Sequence, residues 1–141
     1  MAKVAVNELG VFTDVIKLDY NDLIAIGNGG TRVIAKIPAH GAVELCGVAN
    51  TVDIAGSSSL VIDVGTTSAD PDEFINALDV DAMTTPVFNT GDQFTSGYSK
   101  AVKAVTADTD IVVKVTDSAV ASLTAGQIVI ALRILDLAKF A

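Results

Sequence analysis

The chain has no tryptophan, two tyrosines, three prolines, one histidine and one cysteine in 141 residues. A lone Cys46 excludes an internal disulfide, so packing must hold the fold together. A Cys–His catalytic pair needs its members within hydrogen-bond reach, with a third group to orient the base. His40 falls in the Pro38-Ala39-His40-Gly41 turn and Cys46 lies six residues along the outgoing strand, which sets them apart. The missing tryptophans remove the aromatic platforms on which sugar rings stack. Basic residues are also few: nine against seventeen acidic ones, net charge −8, scattered singly. Direct nucleic-acid binding, which depends on neutralising phosphates, is therefore not expected.

Long apolar runs are absent as well. The longest, Ile128 to Leu132, ends at Arg133, far short of the roughly 18 residues that mark a membrane span. Residues 1–10, MAKVAVNELG, lack the continuous apolar stretch of a secretory signal. The glycine-rich Gly27-Asn28-Gly29-Gly30-Thr31-Arg32 carries no Lys-Ser/Thr and leads into a strand, so it is a hairpin turn rather than a phosphate-binding loop. The acids Asp70, Asp72, Glu73, Asp79 and Asp81, or the pair Asp108 and Asp110, suggest calcium only loosely. They have neither the fixed spacing nor the central glycine of an EF-hand loop. No cofactor or metal is expected, and no nucleophile–base pair supports an enzyme.

What the chain does have is apolar side chains: half of all residues, with only 18% charged. Their spacing is that of strands. Leu60, Ile62 and Val64 alternate with Val61 and Asp63, giving one core-facing side. Phe12 to Tyr20 alternates in the same way, and residues 21–26 either extend that strand or form one helical turn. Thr31 to Ile37 is a strand with Val33, Ala35 and Ile37 inward. Ala42 to Ile54 is long and changes phase near Gly47, where a bulge is expected. Thr109 to Thr116 places Ile111, Val113 and Val115 inward, and Gln127 to Leu135 does the same with Ile128, Ile130, Leu132 and Ile134. Residues 79–109 are the least regular, with Tyr98 to Thr106 the best strand candidate.

One short helix is expected near Pro71 to Leu78, where Asp70 is placed to cap, Pro71 to open the first turn and Glu73 to reach back. Seven or eight short strands with glycine-rich turns indicate an all-β fold, a β-sandwich; strand count does not fix connectivity, and jelly roll is preferred over an immunoglobulin-like sandwich partly for the resemblance described below. Residues 1–11 form an N-terminal arm or edge strand and residues 12–141 a single sandwich domain, the size expected of one domain. In the last strand even the other side, Val129, Ala131 and Arg133, is only half polar. Sheets facing water alternate more cleanly, so these three residues are the candidates for an oligomer interface.

The order of features resembles the small tailed-phage virion proteins of the head decoration or cement class. The segments that carry the likeness are Val33-Ile34-Ala35-Lys36-Ile37-Pro38-Ala39, Leu60-Val61-Ile62-Asp63-Val64-Gly65-Thr66-Thr67, Asp70-Pro71-Asp72-Glu73-Phe74-Ile75 and Leu123-Thr124-Ala125-Gly126-Gln127-Ile128-Val129-Ile130. The resemblance implies a jelly-roll knob, a homotrimer, assembled in the host cytoplasm and seated on the capsid surface of the virion. There it would clamp the major capsid protein, without enzymatic activity or cofactor. The arm residues Val4, Val6 and Leu9 are then the candidates for capsid attachment. The alternative is a receptor- or carbohydrate-binding sandwich from a phage fibre or tail.

Overall fold

Alternation of inward and outward side chains builds two antiparallel sheets that close over one apolar interior. The structure is a computed structural model and describes residues 2–3, 12–57, 59–95 and 102–140. Its strands are β1 (Ala2–Lys3), β2 (Asp14–Asp19), β3 (Thr31–Ile37), β4 (Gly41–Ala55), β5 (Val61–Gly65), β6 (Ile75–Asp79), β7 (Val87–Phe88), β8 (Lys103–Ala104), β9 (Thr109–Thr116) and β10 (Ala125–Asp136). One sheet runs β1-β2-β10-β4-β7, with β8 also on β4; the other runs β3-β9-β5-β6.

The pairings are nested in sequence. β2 pairs with β10, β3 with β9, β4 with β7 and β8, and β5 with β6. The chain is thus one long hairpin, bent between β5 and β6 and rolled up. Rolling brings β10 against β4 and β9 against β5, which closes the two sheets. Nested pairs rolled into two facing sheets are the jelly roll, the preferred of the two expected sandwich topologies.

Ile16 and Leu18 of β2, Cys46 and Val48 of β4, and Ile128, Ile130 and Leu132 of β10 meet Ile62, Val64, Ile111, Val113 and Val115 of the other sheet. Each fully buried side chain of this size contributes roughly 1.5–3 kcal/mol over its exposed state. Helix α1 (Tyr20–Ile26) follows β2 because Asp19 caps it: Asp19 Oδ1 accepts from Asp22 N–H, and Asp22 Oδ2 accepts from Asp19 N–H. It drops Leu23 into the core and ends at Gly27, whose φ is 80°.

Three local expectations are corrected. No helix forms between Pro71 and Leu78; Ile75–Asp79 is strand β6. Glu73 does not reach back to residue 70. Its carboxylate accepts from Thr66 N–H at 2.9 Å and from Thr66 Oγ1–H at 2.5 Å, while Phe74 N–H donates to Val64 O at 2.9 Å. Bonds across to β5 outcompete a single isolated helical turn, which is costly to nucleate. Helix α2 (Asp92–Thr95) lies on this loop instead, its Asp92 and Gln93 amides donating to Asp72 O and Glu73 O.

The phase change in β4 is not at Gly47. That residue pairs in register with Ala131; the extra residues of β4 include Glu44, between the Val43–Ile134 and Leu45–Arg133 pairs, and Thr51, between the Asn50–Ile128 and Val52–Gln127 pairs. In β3, Val33 points outward and is 49% exposed, because Ile34 is an extra residue between the Val33–Val112 and Ala35–Ile111 pairs. One inserted residue reverses the side-chain phase, and the larger Ile34 takes the core position. Of the Tyr98 to Thr106 candidate, Lys103–Ala104 is strand and residues 96–101 lie outside the described residues.

Two substitutions test this account of the β5–β6 connection by urea denaturation. Glu73→Ala is expected to cost about 1–3 kcal/mol, the usual loss when a charged hydrogen-bond partner is removed; no loss would mean the Thr66 contacts are idle. Ala77, in β6, holds φ 49° and donates its amide to Asp63 Oδ1. Ala77→Gly should therefore stabilise by about 1 kcal/mol, the left-handed penalty of an alanine; destabilisation would contradict that backbone geometry.

Candidate functional site

β10 lies between β2 and β4, so its outward side chains sit in the middle of a sheet face. Val129 is flanked by Lys17 and Ala49, Ala131 by Val15 and Gly47, and Arg133 by Leu45. The structure therefore brings the three predicted interface residues onto one face. Val129 and Ala131 are half-buried and Arg133 is exposed, its Nε 2.5 Å from Glu44 Oε1. Val15, Leu45, Ala49 and Val52 share this face, and Val52 is 49% exposed.

Part of the face is covered by the chain itself, through residues that sequence reasoning missed. A Cβ on Gly47 would overlap the Phe88 ring, so the glycine is what lets that ring lie flat over the sheet. Phe12 stacks on Phe88, with ring centroids 6.4 Å apart and planes 9° from parallel. Phe88 remains 47% exposed, so the clasp presents an aromatic surface instead of sealing the face. The available signal was Gly47 itself, in phase within a strand with no bulge at that point.

The opposite outer face differs. Along β9 the outward residues are Asp110, Val112, Lys114 and Thr116, with Asp63 of β5 opposite Lys114. Lys36 of β3 stands opposite Asp110. Charges face water there, whereas the β2–β10–β4 face is mostly Val, Ala, Leu and Phe. A second exposed apolar feature is the terminal turn Leu137–Phe140, where Leu137 is 60% and Phe140 86% exposed. The candidate attachment residues Val4, Val6 and Leu9 lie outside the described residues.

The polar candidates are accounted for locally. Cys46 points into the core, where burial pushes its thiol far above the ordinary value, so it supplies no thiolate. Its amide is held by Asn89 Oδ1, and its carbonyl accepts from Asn89 N–H. His40 is exposed in its turn at φ 62°. Asp79 Oδ1 accepts from the Asp81 and Ala82 amides, and Asp108 Oδ1 accepts from Ala39 N–H. Among the described residues no three His, Cys, Asp or Glu side chains gather as metal ligands.

By sequence the chain matches no protein-family model and no curated protein. Its fold is similar to two solved chains. One, from the capsid of Ralstonia phage GP4, is 16% identical, with a TM-score of 0.55 over 89% of this chain and 86% of that one. The other, from the capsid asymmetric unit of cyanophage Pam1, is 14% identical, with a TM-score of 0.59 over 96% and 94%. The likeness is one of fold, and it runs nearly end to end in both cases.

Gly47→Ala is expected to displace the Phe88 ring and cost about 1–3 kcal/mol, the range for overpacking. In a Phe88→Ala background the same change should be neutral or mildly stabilising, because alanine is the better strand residue. Additive effects would show that the ring does not occupy this place. A pH test applies to Asp72, whose carboxyl is pushed above its usual 3.8 by burial and then by the charges of Asp92 and Asp70. A raised carboxyl favours the fold when protonated and opposes it when charged. Asp72→Asn should thus raise the melting temperature at pH 7 and leave it unchanged at about pH 2.5, where both folded and unfolded carboxyls hold their protons; a gain of equal size at both pH values would contradict it.

Proposed function

We propose that this chain is a structural protein of a phage virion, a decoration or cement subunit that binds the outside of the major capsid protein shell as a homotrimer and stabilises it. The observation that carries the proposal is the apolar outer face of the β2–β10–β4 sheet, with Phe88 47% exposed and Val129 and Ala131 half-buried at its centre. A sheet face of this composition is stable in water when another chain covers it. The fold shared with two phage capsid chains supports the virion part of this reading.

In this reading the seam between subunits runs over Val129, Ala131 and Arg133, and the arm residues Val4, Val6 and Leu9 attach to the shell. Three copies engaging together convert weak single contacts into strong attachment. The net charge of −8 keeps the remaining surface solvated.

Mass measurement of the purified chain in solution should give a trimer. Val129→Lys should give monomers with unchanged far-ultraviolet circular dichroism, since a lysine fits an exposed strand position but not a dry seam. A wild-type monomer or dimer would favour the fibre or tail binding-module alternative. Removing residues 1–11 should lower occupancy on purified shells at least tenfold while the melting temperature moves little. Full decoration by the truncated chain would exclude the arm, and a density map placing the copies at the tail or within the shell wall would exclude decoration.

A further inference from the structure

A second surface feature lies away from the apolar face, at the end of β9. Asp117 directly follows the strand and is 6% exposed, the sole buried charged residue among those described. Its amide donates to Asn28 Oδ1 at 3.0 Å, and its Oδ1 accepts from Ala119 N–H at 2.8 Å. Oδ2 is buried and has no hydrogen-bond partner. Asp117 also lines an open cleft of about 390 Å³ together with Asn28, Ser59, Thr116 and Ser118. None of the described lining residues is basic.

A buried carboxylate oxygen left unpaired is costly, and native proteins supply it with a partner. The cleft narrows the choice. Calcium takes six to eight oxygens, generally from several carboxylates; here there is one carboxylate and no cluster of three candidate ligands among the described residues. A singly charged organic cation matches a cleft with one carboxylate and hydroxyl- and amide-bearing residues among its lining, whose oxygens can accept its remaining N–H bonds. We propose that this cleft receives one cationic side chain, an arginine or lysine, from a neighbouring protein chain. That the cation belongs to a neighbour rests on the capsid reading; that the cleft takes a cation does not.

The test is a two-dimensional amide NMR titration of the full chain with N-acetyl-arginine-N-methylamide, its neutral citrulline counterpart, and calcium chloride. The arginine compound should give saturable shifts at residues 28, 59–61 and 116–119, and the citrulline compound should bind about tenfold or more weakly, the usual weight of a charged hydrogen bond. Asp117→Asn should abolish the difference. Should that variant fail to fold, Ser59→Trp, at the exposed rim, should block the shifts while leaving the carboxylate in place. No saturable shift, equal binding of the citrulline compound, or tighter saturation by calcium would each overturn the cation site. Asp117→Asn should also weaken assembly of the chain on shells. If wild-type chain decorates shells and Asp117→Asn decorates them equally well, the neighbouring-chain origin is overturned. If wild-type chain does not decorate them, the capsid reading fails while the titration result stands.

Discussion

The structure depends on one strand whose middle is apolar on both sides. β10 is hydrogen-bonded to β2 along one edge and to β4 along the other, so neither edge faces water. Ile128, Ile130 and Leu132 are fully buried in the interior. Its outward side has Val129 and Ala131 at the middle of the sheet face, between Gln127 and Arg133. A strand in this position cannot rotate to hide both sides, because register fixes which residues face outward. In the proposed reading, a neighbouring chain covers it.

The chain answers part of that requirement itself. Gly47 leaves room for the Phe88 ring, and Phe12 stacks on that ring from the start of β2. The clasp shields Gly47, but it exchanges one apolar surface for another, since Phe88 is itself half-exposed. β9, an inner strand of the other sheet, is more polar outside: Asp110, Lys114 and Thr116 flank Val112 there, with Lys36 and Asp63 beside them. Two faces of the same sandwich thus differ in kind. The proposed assembly through the β2–β10–β4 side rests on this asymmetry more than on the total apolar content.

Much of the sandwich was legible in the sequence because period-two alternation is a direct consequence of strand geometry. Thr31–Ile37 and Thr109–Thr116 have the bounds that the pattern marks, and Leu60, Ile62 and Val64 are fully buried as the alternation requires. The errors came where a local rule met a longer-range bond. Asp70-Pro71-Asp72-Glu73 has the composition of a helix start, yet Glu73 finds Thr66 across the hairpin and Phe74 finds Val64. Val33 alternates correctly in the sequence, yet Ile34 is an inserted residue whose presence depends on β9. Of the candidate site, Val129, Ala131 and Arg133 could be placed on one face from spacing alone. Phe88, Phe12 and Asp117 could not, because their roles arise from neighbours distant in the chain.

The central claim is that Val129 and Ala131 are sheltered by a second copy of the chain. It is tested most directly by methyl NMR of the assembled protein with a soluble paramagnetic relaxation agent. Val33, 49% exposed on the other sheet, serves as the internal reference. The account predicts strong relaxation of the Val33 methyls and little at Val129 and Ala131 at concentrations where the chain is oligomeric. Relaxation at Val129 as strong as at Val33 under those conditions would show this face to be open to solvent, and would contradict it.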